Sequence, residues 1–358
     1  MSLPFKPHIA KLPAYKPPAV PAGVERVIDL SSNENPLGPS PKAMLALQAA
    51  VGTVNRYPDA AGTALKTVLA DRLDLIPDNI ALGNGADEWV LLLCLSLLEP
   101  GDEVIIAKGS FISYLLRVIE VGAKLVQVPM QDYTHDLEAM ADAVSEKTRL
   151  VFVCNPNNPT GTAVNAAAIE AFLDRIPERI PVVVDEAYYE YAIVNPSYAA
   201  RSVDYLRAGR KNLIVLRSFS KVYGLAGLRV GYVLADEEVI DYVERARPPF
   251  NVNRLAQVAA LAALDDGEHV QRSVEANEAA KRFFYAELAA LGVRYIPTYT
   301  NFLAVDVGRP GSEVSGSLLE SGFVTTATDG WGVPNHVRFS FGTPAENAAF
   351  AEAFATAL

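Results

Sequence analysis

A chain of 358 residues, half of them hydrophobic and 20% charged, is long enough for one large domain and a smaller one. Its 31 basic and 42 acidic residues give a net charge of −11 with no basic block to neutralise phosphates, which excludes a nucleic-acid binder. The two cysteines, Cys94 and Cys154, lie in apolar runs (LLLCLSLL and LVFVCNP), so buried thiols in a reducing, cytoplasmic setting are expected rather than a disulfide framework.

Taken in chain order, MSLPFKPHIAKLPAYKPP is broken by prolines and lacks the apolar stretch of a signal peptide. It reads as an extended arm lying across its own domain or a partner subunit. The most apolar run, 89–98, is about half the roughly 20 residues that span a bilayer, so no membrane partner is expected. From Pro41 onward, helical periodicity alternates with short β-branched runs bounded by turn residues, a pattern that predicts a parallel sheet with crossover helices. The strand candidates are EVIIA (103–107), KLVQVP (124–129), RLVFVCN (149–155), IPVVVDE (180–186), NLIVLRS (212–218) and RVGYVLA (229–235). Nearly continuous apolar runs of this kind suit strands covered on both faces. Helices are expected at ADEWVLLLCLSLL, SYLLRVIEVG and NAAAIEAFLDRI. After about Glu244 the character shifts to one long helical stretch, LAQVAALAALDDGEHVQRSVEANEAAKRFFYAELAAL, followed by a few short strands and a final helix. The expected organisation is an arm over 1–40 that joins the small domain, a large α/β domain over 41–244, and a small α+β domain over 245–358.

In open α/β sheets, ligands bind beyond the carboxyl ends of the strands. NPNNPTG (155–161) follows one predicted strand, Asp185, Glu186 and Tyr188 follow another, and Ser218 to Lys221 follow a third. Each alone is an ordinary loop, and their convergence at one sheet edge is the signal. Pyridoxal 5'-phosphate needs an amine to form a Schiff base, and Lys221, in SFSKVYGLAGLRVGY, can supply it. It needs a carboxylate at its pyridine nitrogen, and Asp185 ends an apolar strand where burial strengthens such a pair. Its phosphate needs backbone amides and a cation. GNGADE (83–88) puts Gly85 at the start of a helix, Arg229 offers a forked donor pair and Ser218 a hydroxyl.

These stretches resemble the fold-type I aminotransferases of class I and II over nearly the whole chain. SFSKVYGLAGLRVGY looks like the cofactor-lysine signature, and NPNNPTG, DEAYYEY and HVRFSFG follow the family's order. The resemblance implies an α/β large domain with a mostly parallel mixed sheet, plus a smaller α+β domain. It makes Lys221 the Schiff-base lysine and Asp185 the partner of the pyridine nitrogen. Tyr188 and Asn158 would bond the ring's phenolic oxygen, while Ala86, Asp87, Ser218 and Arg229 would hold the phosphate. Phe111 would stack on the ring, and Arg338 would receive the acid group of the substrate. Within the class, LPAYKP, SSNENPLGPSP, NRYPD and GNGADE are arranged as in histidinol-phosphate aminotransferases and their aromatic aminotransferase relatives. That likeness implies that Tyr15 and Asn33 face the substrate. It also implies that Tyr57 reaches the cofactor phosphate of the neighbouring subunit, so a homodimer would complete the site.

One departure stands out. Histidinol-phosphate enzymes commonly carry an extra arginine in the segment that here reads GFVTTATDGWG, with Thr325 and Thr326 in its place. One guanidinium fewer weakens the grip on a phosphate dianion and favours a donor with a carboxylate and an aromatic side chain, such as phenylalanine or tyrosine. Trp331 could line the same pocket. The expected reaction is a ping-pong transamination, with histidinol phosphate or an aromatic amino acid as donor and 2-oxoglutarate as acceptor. A lyase of the same fold, resembling phosphothreonine-type decarboxylases, shares most of these motifs. A regulator that kept the domain as a sensor would need a DNA-binding module, for which the stretch before Leu30 leaves no room.

Overall fold

The structure, a computed structural model, describes residues 5–14, 27–198 and 200–358. In chain order the strands are β1 (Ile28–Asp29), β2 (Ile80–Gly83), β3 (Glu103–Ala107), β4 (Lys124–Val128), β5 (Thr148–Cys154), β6 (Val182–Asp185), β7 (Leu213–Ser218) and β8 (Gly231–Leu234). The small sheets add β9 (Tyr295–Ile296), β10 (Phe302–Asp306), β11 (Phe323–Val324), β12 (Thr326–Ala327) and β13 (His336–Ser340). A seven-stranded sheet runs β2-β8-β7-β6-β5-β3-β4, parallel throughout except for β8, which is antiparallel to both of its neighbours.

The alternation of side chains along a strand sorts the large core into two layers. Val182, Val184, Val151, Val153 and Val215 face one way, with Ala43, Leu69 and Phe172 among the residues packed there. Val183, Phe152, Ile214 and Leu216 face the other, against Trp89, Leu93 and Val118. Every residue of β6 is buried, as the apolar run predicted. A third core lies around β10 and β13, where Phe284, Phe339, Phe350 and Phe354 pack with Leu30. Residues 28–30, within the expected arm, therefore sit with the small sheets: β1 pairs in parallel with β11.

The six predicted strands all form, with ends shifted by a residue or two. β2 was not predicted, because IALG is short and ends in glycine, and its partner is set by antiparallel pairing with β8. The single long helix expected after 254 is two helices, Arg254–Leu264 and Gly267–Ala290. Asp266 caps the second by accepting from the His269 N–H, which stops one helix and starts the next. Arg254–Leu264 buries Ala256, Ala259, Ala260 and Ala263 in the first layer of the large core, so that core extends beyond the expected limit at 244.

Candidate active site

The carboxyl ends of β5, β6 and β7 open onto a cavity of about 480 Å³, closed on the other side by residues 31–34, Trp331 and Arg338. Among the residues singled out in the sequence, Asn33, Ala86, Asp87, Phe111, Asn158 and Asp185 line it. So do Tyr188, Ser218, Lys221, Arg229 and Arg338.

Lys221 reaches into this space from the loop after β7 and donates from Nζ to the Ser32 carbonyl at 3.0 Å. Its ammonium lies 5.6 Å from the centroid of the Tyr188 ring. Burial, helped by the nearby Arg338 guanidinium, pushes the amine down to about 8, so a usable neutral fraction exists near pH 7. Asp185 closes the end of β6. The Tyr114 hydroxyl donates to Oδ2 at 2.7 Å and the Ala187 N–H to Oδ1 at 3.0 Å. Both donors are uncharged, and burial lifts the carboxyl to about 6. A carboxylate held dry, with no cation bonded to it among the described residues, suits a ligand that brings a positive nitrogen.

The helix Ala86–Leu97 starts in the cavity wall after Gly85, whose φ of 83° lies in the left-handed region, and no side chain caps its first amides. A Cβ on Gly85 would lie 2.4 Å from Arg229 Nη2, so only glycine lets the guanidinium lie against this turn. Among the described residues, the Arg229 side chain bonds only the Ala226 carbonyl at 3.2 Å and Ser220 Oγ at 3.5 Å. The Asp87 side chain turns to Ser113 and Arg117, leaving its backbone N–H at the helix start. Open amides, a guanidinium with no carboxylate partner among the described residues and the Ser218 hydroxyl together suit an anion.

Opposite the lysine, Arg338 is 4% exposed yet has no carboxylate partner among the described residues. It donates to Asn158 Oδ1, to the Ser31 carbonyl and, at 3.0 Å, to Thr326 Oγ1. Its Nε has no partner. The guanidinium lies 5.3 Å from both the Phe302 and Trp331 ring centroids. Burial lowers it to about 10, which leaves it charged at neutral pH. Because Asn158 gives its oxygen to Arg338, its Nδ2 remains available to another acceptor. The Tyr188 hydroxyl accepts from Asn33 Nδ2 at 2.9 Å.

Tyr57 is not in the cavity. It is 78% exposed and stacks on Phe250 at 4.6 Å. Tyr15 lies outside the described residues. Of the two threonines at the missing arginine, only Thr326 meets Arg338, while Thr325 bonds Ser315 Oγ at 3.0 Å. Sequence reasoning passed over Tyr114, Cys154 and Ser32. Tyr114 could have been found, since it follows Phe111 by three residues and so shares a helix face with it.

The family model described as aminotransferase class I and II matches residues 25–354. Curated histidinol-phosphate aminotransferases are similar along nearly the whole chain. That of Moorella thermoacetica is 46% identical over 331 residues, covering 92% of this chain and 85% of its own. That of Akkermansia muciniphila is 43% identical over 350 residues, covering 95% of each. The crystal structure of histidinol-phosphate aminotransferase from Sinorhizobium meliloti in complex with pyridoxal-5'-phosphate superposes with a TM-score of 0.89 at 29% identity, covering 100% of this chain and 98% of that one.

Proposed function

The chain belongs to the class I and II aminotransferase family, and from that premise we propose that it transfers the amino group of histidinol phosphate to 2-oxoglutarate, using pyridoxal 5'-phosphate. The observation that carries this reading is a single cavity holding a neutralisable lysine, a buried acid and a buried arginine without a counter-ion, in a chain 46% identical to a histidinol-phosphate aminotransferase. The cofactor fits the residues present. Among the described residues Asp185 has no cation bonded to it, and the Gly85 turn leaves open amides beside an arginine with no acidic partner.

When bound, the cofactor supplies an aldehyde for a covalent link to an amine and a protonated ring that draws electrons from the neighbouring carbon. Lys221 Nζ is the amine that would hold the cofactor, and the same amine, when free, would carry a proton to and from the substrate's α-carbon. Asp185 would keep the pyridine nitrogen protonated. Tyr188 Oη and Asn158 Nδ2 would hold the phenolic oxygen, Phe111 would cover the ring face, and Ala86, Asp87, Ser218 and Arg229 would hold the phosphate. Arg338 takes the anionic group of each substrate in turn, with Asn33 beside it.

A second donor class has one observation in its favour: Thr326, not an arginine, stands beside Arg338, and Trp331 and Phe111 wall the same space. Phenylalanine or tyrosine would need only the one guanidinium. A donor panel with 2-oxoglutarate decides between them. Histidinol phosphate is expected to give the highest kcat/KM, and a preference for phenylalanine or tyrosine of tenfold or more, about 1.4 kcal/mol, would transfer the assignment. The relatives support transamination over the lyase reading, and release of carbon dioxide without amine transfer would reverse that.

The active form proposed is a homodimer in which Tyr57 serves the site across the interface, in keeping with an aromatic side chain left 78% exposed. For Tyr57→Phe, loss of one hydroxyl bond to a phosphate is expected to raise the cofactor dissociation constant about tenfold. An unchanged constant would remove Tyr57 from the shared site.

A further inference from the structure

We infer that Tyr114 is a positioning residue: its hydroxyl fixes Asp185 in its charged, correctly turned form, while its ring holds Phe111. This inference rests on the reading of Asp185 as the partner of the cofactor's pyridine nitrogen.

Tyr114 is fully buried on the helix Ile112–Glu120, in the layer of core behind the cavity. Its ring is fixed from two sides. It lies flat on Phe152, with centroids 4.6 Å apart and planes 8° apart, and meets Phe111 edge-on at 5.5 Å. Phe152 is two residues before Cys154, which stands opposite Asp185 in the β5–β6 ladder. The stack therefore aims the hydroxyl at the end of β6, where it donates to Asp185 Oδ2 at 2.7 Å. The Ala187 N–H holds Oδ1, so the carboxylate cannot rotate without breaking one of the two bonds. Donation to a carboxylate favours its charged form, and burial keeps the phenol far above its ordinary range, so it remains a donor at all working pH. The other groups facing Asp185 are Asp87 and Glu186, which disfavour its charge, Lys221, whose ammonium favours it, and Cys154 and Tyr188, which burial keeps protonated and uncharged. Among the described residues the phenol is the only side chain that hydrogen-bonds this carboxylate.

The test compares Tyr114→Phe, which keeps the stack and removes the bond, with Tyr114→Leu, which removes both. In cofactor-free protein, infrared titration of the Asp185 carboxyl, with Asp185→Asn to assign its band, should show Tyr114→Phe taking up the proton at a pH higher by about one unit or more. In the loaded enzyme, kcat should fall about tenfold with donor KM nearly unchanged, and the pH midpoint of the cofactor's visible absorbance should move. Tm should stay near that of the parent in Tyr114→Phe and fall in Tyr114→Leu. A Tyr114→Phe protein with parental carboxyl titration, kcat and absorbance midpoint would overturn the inference and leave Tyr114 a core aromatic. Failure of the Asp185 reading would look different: the parent protein's absorbance would be unaltered by Asp185→Asn.

Discussion

Replacing Lys221 with alanine is expected to abolish the visible absorbance of the cofactor-loaded protein and to lower kcat by about 10⁴-fold or more. Two contributions would vanish together, because in the role proposed the amine both tethers the cofactor and moves the proton, and each is worth orders of magnitude in rate. The fold should survive. Lys221 makes one hydrogen bond, to the Ser32 carbonyl, and no ion pair among the described residues, so its loss leaves no buried counter-charge behind. In the parent protein the same residue sets a pH dependence with a definite sign. Capture of an aldehyde needs the neutral amine. At pH 7 an amine at about 8 is neutral in about one molecule in ten, against about one in three thousand for a lysine at 10.5. Stopped-flow reconstitution with pyridoxal 5'-phosphate should therefore speed up as pH rises to about 8 and level off above it. A rate still climbing to pH 10 would mean that the site does not depress the lysine.

What made this site readable in advance was its dependence on strand ends. Each of Asn158, Asp185 and Lys221 follows an apolar run whose length and β-branching announce a buried parallel strand, and parallel strands deliver their carboxyl ends to one edge. The sheet order did not have to be known for those residues to meet. What remained hidden was whatever depends on contacts between distant segments. The stretch 31–38 binds the lysine loop from the far side: Asn35 Nδ2 donates to the Val222 carbonyl at 2.7 Å, and a Cβ on Gly224 would lie 2.1 Å from the Gly38 carbonyl oxygen. No periodicity encodes that approach. The helix break at Asp265 and Asp266 was legible in principle, since an aspartate before GEH is a capping signal, but the alanine-rich run before it and the polar helix-forming run after it read as one helix. Thr326 shows a third limit. The sequence located the absent arginine, but only the fold shows which of two adjacent threonines faces Arg338 and which faces Ser315.

Arg338→Gln is expected to raise KM for the donor and for 2-oxoglutarate together, by about 10²- to 10³-fold, while leaving Tm unchanged or slightly higher. The joint effect on KM follows from a ping-pong reaction, in which both substrates occupy one cavity at different times and present their anions to the same guanidinium. The magnitude is that of a desolvated, charge-assisted bond to an anion, about 3–4 kcal/mol when one partner is removed. The stability expectation is the less obvious half. Removing one member of a buried ion pair usually destabilises, because the other charge is left alone. Here there is no other charge: Arg338 bonds an amide oxygen, a carbonyl and a hydroxyl, its Nε has no partner, and burial already pulls it down to about 10. Its contacts with Phe302 and Trp331 recover roughly 0.5–2 kcal/mol each, against a desolvation cost of several. On the proposed reading, the substrate-free protein stores an unfavourable cation that a substrate anion would neutralise, a trade of stability for affinity. Calorimetry and steady-state kinetics on the same preparation separate the two halves: a large fall in Tm with unaltered KM would make Arg338 a structural residue and place the substrate anion elsewhere.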